Sequence, residues 1–266
     1  MILATFNILN PYHAVKWVTA AGLDADGQDN WERHRRARVI DSLTRSNFDI
    51  CCVQELSKRT RAELGASFQE ASFAEHWAEE PEGTHGTAIF YRADRIKLIK
   101  SGSIRHEAPG TPEKNWRHAA FAELEEETTG LRLRVISVHL KGYNPYETDI
   151  TSKREQQVRG DLELQSYLKG LTRELDQVDG LVIMGDFNED SQEMRARGGS
   201  SRQGRLLAEG FRWDGVEDVT EHESGRKIDW IFYKAVSERA PQRLTHHPID
   251  QDRAASDHAI SSTLIS

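Results

Sequence analysis

At 266 residues, 37% of them hydrophobic and with a net charge of −8, the chain is long enough to bury a core without staples and too acidic to bind nucleic acid indiscriminately along its backbone. The only two cysteines, Cys51 and Cys52, are adjacent inside an apolar run, which speaks against a structural disulfide and against thiolate zinc, and favours a reducing compartment. No apolar stretch approaches the roughly 18 residues of a membrane span, and Met1 leads straight into Ile2-Leu3-Ala4 without a charged leader, so the expectation is a soluble, cytoplasmic protein of one domain over residues 1 to 266.

Residues 2 to 8 alternate around Ile2, Ala4, Phe6 and Ile8, and residues 48 to 54 form a compact apolar run; both predict buried strands. Between them, Asp29 or Asn30 can cap a helix with Val39, Ile40 and Leu43 facing inward and Arg33, Arg35, Arg36 and Arg38 in water. Further strands are expected at 85 to 92, 95 to 103, 117 to 125 and 131 to 139, with Glu126 to Gly130 as the turn between the last two. The clearest helix runs from Lys153 to Leu175, because Leu164, Leu168, Leu171 and Leu175 recur at spacings of four and three. Asp179 to Gly185 reads as a central strand, and shorter strands at 228 to 233, 242 to 247 and 259 to 264 complete the chain. Three stretches read as long loops: Pro11 to Asp29, Gly142 to Ser152 and Glu189 to Gly204.

The chemistry is expected where the strands stop. Asn7 lies near the end of the first strand, Glu55 just past the second, His139 at the end of another, and Asp186 and Asn188 follow the apolar run Leu181-Val182-Ile183-Met184. Strand ends in a layered sheet can share one edge, so residues far apart in sequence can converge there, joined by Asp229 and the pair Asp257-His258. Such a cleft is rich in carboxylates, amides and imidazoles and has no cysteine–histidine spacing suited to zinc. Its oxygen donors suit a hard cation, Mg²⁺ or Mn²⁺. A hard cation beside two histidines suggests phosphoester hydrolysis, in which the metal neutralises phosphate oxygens and a general base activates water.

The motif series Thr5-Phe6-Asn7-Ile8-Leu9, Gln54-Glu55, Ser137-Val138-His139-Leu140, Gly185-Asp186-Phe187-Asn188, Ile228-Asp229-Trp230-Ile231 and Ser256-Asp257-His258 resembles, in order, that of the endonuclease/exonuclease/phosphatase superfamily. The resemblance spans residues 7 to 258. Within the superfamily the chain is most similar to the branch of deadenylases and nocturnin-like phosphatases, on Trp31-Glu32-Arg33, Asn115, Ala119-Ala120-Phe121, Lys141, Arg154 and Gln157. The resemblance implies a four-layer α/β sandwich, in which two packed, mainly antiparallel sheets are flanked by helices. It also implies Glu55 as the main metal ligand, assisted by Asn7 and Asp257. Asp186 would orient or activate the attacking water and Asn188 would hold a phosphate oxygen. His258 would be the general base or phosphate-polarising group, oriented by Asp229, and His139 would stabilise charge on phosphorus or assist the leaving oxygen.

Plainer readings stand beside these. Glu55 can serve as a cap for a helix starting near Ser57, and Asn7 and Asn188 can be turn residues. The arginines Arg195, Arg197, Arg202 and Arg205 around Gly198-Gly199-Ser200-Ser201 form either a solvated loop or a basic flap that grips a polyanion, and Tyr143, Tyr146 and Asn144 either stack on a base or pack the loop. Arg33, Tyr143, Asn144, Arg195 and Arg197 are therefore the candidate substrate contacts. The function expected is a nuclease or phosphodiesterase on RNA, DNA or a nucleotide. The alternatives are a phosphomonoesterase on a small metabolite or inositol phosphate, and a noncatalytic binding module of the same fold. A sphingomyelinase-like membrane enzyme has least in its favour, and no protein partner can be inferred.

Overall fold

A computed structural model of the chain describes residues 1–9, 35–70, 72–79, 86–106, 117–142, 148–216, 220, 225–247, 256 and 258–266. Within them the apolar alternations of the sequence become strands whose two faces enter different cores. In β1 (Ile2–Asn7), Leu3 faces one buried cluster while Ala4 and Phe6 face another; in β2 (Ile50–Gln54), Ile50 and Cys52 join the first, Cys51 and Val53 the second. A strand buried on both sides carries no polar alternation, which is why residues 50 to 54 are continuously buried.

The second cluster is closed by α1 (Arg36–Arg45) and α2 (Lys58–Glu70), which contribute Val39, Leu43, Leu64 and Phe68. The sheet between is completed by β3 (Phe73–Glu79), β4 (Gly86–Arg92), β10 (Leu244–His246) and β11 (Ser261–Ile265), in the order β10-β11-β1-β2-β4-β3. A second sheet has the order β5-β6-β7-β8-β9, built from Ile96–His106, Arg117–Glu126, Arg132–His139, Gly180–Asp186 and Asp229–Ala235. The first cluster fills the space between the sheets with Ala120, Ala122, Leu133, Val135, Val182 and Met184. On the outer face of the second sheet, Ile136, Val138, Ile183 and Phe232 meet Leu164, Tyr167 and Leu171 of α3 (Ile150–Leu171) and Leu206 of α5 (Arg202–Ala208). Three cores between four layers make the α/β sandwich, and all strand pairs except β1–β2 and β7–β8 are antiparallel. Among the described residues no helix is long and apolar enough to cross a membrane.

Those two parallel pairs position the site. They bring the C-terminal ends of β1 and β2 together in one sheet and those of β7 and β8 in the other. Polar side chains pin the sheets to each other there: Thr5 Oγ1 donates to Gln54 Oε1 at 3.2 Å, and Gln54 Nε2 donates to Ser137 Oγ at 3.2 Å.

Several sequence expectations need correction. Arg35 is not in water but fully buried, donating to the carbonyls of Ile8 and of Leu9 (2.8 Å), because the chain leaving β1 needs donors that no strand supplies. The proposed caps Asp29 and Asn30, and the loop from Pro11 to Asp29, lie outside the described residues. The long helix starts at Ile150, not Lys153, with Asp149 accepting from Thr151 N at 3.0 Å, so the stretch from Gly142 to Ser152 ends in helix. Glu189 to Gly204 is not a loop: Asp190 caps α4 (Ser191–Arg197) through a reciprocal capping box with Glu193, a 3-10 turn covers Gly198–Ser200, and Ser201 caps α5. Strand β3 escaped the sequence reading because Phe73, Ala74, Trp77 and Ala78 recur at i, i+1, i+4 and i+5, a helical spacing rather than the alternation of a strand.

Candidate active site

His139, Asp186 and Asp229 lie in one rank across the second sheet, since the β7–β8 register pairs His139 with Asp186 and the β8–β9 register pairs Asp186 with Asp229. In the first sheet Asn7 pairs with Gln54, the residue before Glu55. The two ranks meet at Asn7 Nδ2, which donates to Glu55 Oε1 at 3.0 Å and to Asp186 Oδ2 at 3.1 Å. His139 Nε2 lies 3.8 Å from the same Glu55 oxygen and 3.7 Å from the same Asp186 oxygen. On the far side of Asp186, His258 Nδ1 bonds Asp229 Oδ2 at 2.7 Å. Asp186, Asp229 and His258 each offer a ligand atom within 4.8 Å of the others. Glu55 and His258, more than 200 positions apart in the sequence, thus belong to one side-chain cluster.

The backbone is shaped to place these groups. Asn7 Oδ1 accepts from Leu9 N at 3.0 Å, turning the chain sharply out of β1. Glu55 follows β2 with φ of 62°, a left-handed conformation that a glutamate adopts only under constraint from its surroundings. Asn188 has φ of 51°; its N–H donates to Asp186 Oδ1 at 2.8 Å and its Nδ2 to Leu140 O at 3.0 Å. Glycine is required twice. A Cβ on Gly185 would lie 1.9 Å from Val138 O, and one on Gly142 2.3 Å from Asn188 Oδ1.

Two supports were not singled out in the sequence. Ser256 Oγ donates to Asn7 O at 2.8 Å and accepts from His258 N at 3.2 Å, tying the chain before β11 to the end of β1. Thr220 Oγ1 accepts from Ile228 N and Asp229 N at 2.9 and 3.0 Å, fixing the entry to β9. Ser256 stands inside the motif Ser256-Asp257-His258 and could have been found there; nothing in the sequence marks Thr220.

Electrostatically the cluster is acidic and buried. Asp186 is 2% exposed, and burial together with the neighbouring Asp229 pushes its carboxyl up to about 8, against the opposing pull of His258. Asp229 is fully buried, and its Oδ1 has no hydrogen-bond partner among the described residues. An orphaned carboxylate oxygen beside a second buried carboxylate is a donor set that fits a hard divalent cation.

Of the remaining predicted residues, the two that are described are not gathered here. Arg195 and Arg197 sit on α4; Arg197 is paired with Asp161 (2.6 Å) and Glu189, while Arg195 is at the surface and donates to Ser191 Oγ at 3.4 Å. Asp257, Arg33, Tyr143 and Asn144 lie outside the described residues. A cavity of about 420 Å³ lined by Met1, Asp49, Arg95 and Leu131 is at the opposite end of the strands and plays no part in this cluster.

Comparison with known proteins adds four findings. The model of the Endonuclease/Exonuclease/phosphatase family matches residues 4–258. Nocturnin from Xenopus laevis is 28% identical over 258 residues, covering 84% of this chain and 62% of that protein, so the chain spans about six-tenths of that relative's length. Among solved structures, Bacteroides thetaiotaomicron mannosyl-6-phosphatase has a TM-score of 0.69 at 18% identity, covering 100% of this chain and 99% of the other. The human Nocturnin catalytic domain with bound sulfate anion has a TM-score of 0.68 at 18% identity, covering 100% and 93%. Similarity at that level of identity establishes a shared fold.

Proposed function

Because this chain belongs to the endonuclease/exonuclease/phosphatase family, we propose that it is a divalent-metal-dependent phosphoester hydrolase, a nuclease or phosphodiesterase acting on RNA, DNA or a nucleotide. The observation that carries the reading is the single chain of contacts from Glu55 through Asn7 and Asp186 to Asp229 and His258. The resemblance of the motif series to the deadenylase and nocturnin-like branch, with Nocturnin matching over 84% of the chain, supports a nucleotide or nucleic-acid substrate.

Glu55, with Asn7 beside it and Asp257 as a further proposed ligand, would hold Mg²⁺ or Mn²⁺. Such an ion neutralises the phosphate oxygens and the leaving group when bound. Asp229, accepting from Nδ1 of His258, sets the imidazole so that its proton-accepting lone pair is on Nε2, the arrangement a general base for water requires. Asp186 lies between the two halves and would orient the attacking water, while His139 faces both Glu55 and Asp186 and would stabilise the charge that develops on the phosphoryl oxygens. Asn188 is proposed to hold a phosphate oxygen, and Arg33, Tyr143, Asn144 and Arg195 to contact substrate, whereas Arg197, taken up by Asp161 and Glu189, is left to the scaffold. A reducing, cytoplasmic setting fits the two buried free cysteines.

The second reading is a phosphomonoesterase, favoured by the fold shared with a mannosyl-6-phosphatase. The test is an activity screen in Mg²⁺ and Mn²⁺ over poly(A), single- and double-stranded DNA, cyclic and pyridine nucleotides and sugar or inositol phosphates, with His258→Ala as the blank. Shortening of an oligonucleotide supports the first reading. Phosphate release without shortening supports the second, and no activity on any of them overturns both.

A further inference from the structure

Behind the cluster lies a buried arginine that the reaction scheme does not use. Arg202, at the start of α5, is 1% exposed, and its side chain reaches four acceptors. Nη1 donates to the carbonyl of Phe187, the residue between Asp186 and Asn188. Nη2 donates to Lys141 O at 3.0 Å, two residues past His139, and to Gln157 O of α3 at 3.3 Å. Nε donates to Asp161 Oδ1 at 3.2 Å.

The same neighbourhood holds the chain on both sides of Asn188. Glu189 Oε2 accepts from Arg202 N at 2.5 Å, and Glu189 O accepts from Gln203 Nε2 at 2.7 Å and from Trp230 Nε1 at 3.0 Å. Lys141 N is held in turn by Glu163 Oε2 at 2.6 Å. Space for the guanidinium exists because residue 160 is glycine: a Cβ there would lie 2.1 Å from Arg202 Nη2 and 2.6 Å from Lys141 O.

We infer that Arg202 is a positioning residue, whose planar guanidinium clamps the segments leaving β7 and β8 to each other and to α3 and so fixes His139 relative to Asp186 and Asn188. A buried ion pair alone gives little net stability, and an apolar side chain of similar volume could fill the space. An apolar side chain cannot satisfy three backbone carbonyls in fixed directions, and a lysine ammonium lacks the planar fork that reaches them together. The inference rests on the phosphoester-hydrolase reading, since it assigns Arg202 a share in that site's geometry.

The test uses the full chain with bis(p-nitrophenyl) phosphate in Mg²⁺, comparing wild type, Arg202→Lys and Gly160→Ala well below their unfolding temperatures. Gly160→Ala keeps the arginine but drives a Cβ against both the guanidinium and Lys141 O, so it displaces the clamp with its charge intact, and urea titration of each variant corrects kcat for the folded fraction. Both variants are expected to lose about ten- to a hundredfold in kcat, with KM little changed, as small displacements of reacting groups do. Amide hydrogen exchange at Leu140 and Asn188, whose N–H groups bond Asp186 O and Oδ1 at 2.9 and 2.8 Å, is expected to quicken about tenfold while that of β1 and β2 stays as it was. Unchanged kcat in both variants, or a loss that follows only the folded fraction, overturns the inference. An inactive wild type would sink the hydrolase reading instead, and the exchange rates at Leu140 and Asn188 would still decide whether Arg202 holds these segments.

Discussion

Two buried acidic regions lie side by side at the end of β8, and they are treated differently. Asp161 is ringed by cations, with Arg197 at 2.6 Å, Arg202 at 3.2 Å and Arg205 at 3.4 Å, and Glu189 is paired with Arg197. Asp186 and Asp229, equally deep, form no ion pair with lysine or arginine among the described residues; their titratable neighbours are each other, His139 and His258, with Glu55 bridged to Asp186 by Asn7. A fold that can neutralise buried acids with arginine at one place leaves them crowded a few residues away; the first is scaffold, and the second is where we propose that a cation binds.

The sharpest way to break that comparison is to remove one group from the crowded region. Glu55→Ala and His258→Ala are each expected to lower phosphoester hydrolysis by on the order of 10³-fold or more, with circular dichroism unchanged, because each removes a group proposed to act on the reacting atoms. Activity within tenfold of wild type in either variant would refute the role given to that residue.

The next effect is on stability. The Asp186 carboxyl stands at about 8 in the folded protein, above the ordinary carboxylate value of about 4. Between those values the folded state holds a proton that the unfolded state has released, so stability is fully present below about pH 4 and is lost as the pH rises toward 8. Metal-free protein is expected to melt several degrees lower at pH 8 than at pH 5, Asp186→Asn to show little of that slope, and added Mg²⁺ to recover most at the alkaline end. A melting temperature that rises over this range would mean that Asp186 is not held protonated by its surroundings.

The crowded region was far more legible in the sequence than the paired one, and the reason is physical. Asn7, Glu55, His139 and Asp186 each end or follow an apolar run, so their placement needs only local alternation and a layered sheet to bring strand ends together. The paired region depends on contacts from Asp161 in a helix to Arg202 beyond the next strand, and no periodicity announces them. Gly198-Gly199-Ser200-Ser201 looks like a turn flanked by solvated arginines, whereas the capping oxygens of Asp190 and Ser201 make two short helices of the stretch and bury Arg202. Arg35 is illegible for the same reason: a charged residue next to a helix start reads as exposed until its acceptors, the carbonyls of Ile8 and Leu9, are in view.

Within the paired region, Arg197→Met leaves Glu189 and Asp161 each one cation short in a buried setting. A loss of about 2–3 kcal/mol in unfolding free energy is expected from urea titration. Since Arg202 keeps its hold on the carbonyls of Phe187 and Lys141, kcat well below the melting temperature should stay within about threefold of wild type. A kcat loss comparable to that of His258→Ala would erase the division between scaffold and site.

The smallest effect separates the two substrate classes. Arg195 lies on the same helix as Arg197, one turn from the capping box, but at the surface rather than in the acid network. An exposed arginine can add to affinity only for a ligand with phosphates beyond the one being cleaved, and that contribution fades as salt screens it. Arg195→Ala is therefore expected to raise KM for a single-stranded oligonucleotide by about two- to fivefold at low salt, to leave kcat alone, and to do nothing to KM for a sugar monophosphate. A KM unchanged for both substrates at low salt would remove α4 from the substrate path and leave recognition to other parts of the cleft. Equal changes for both would point instead to a contact with the scissile phosphate.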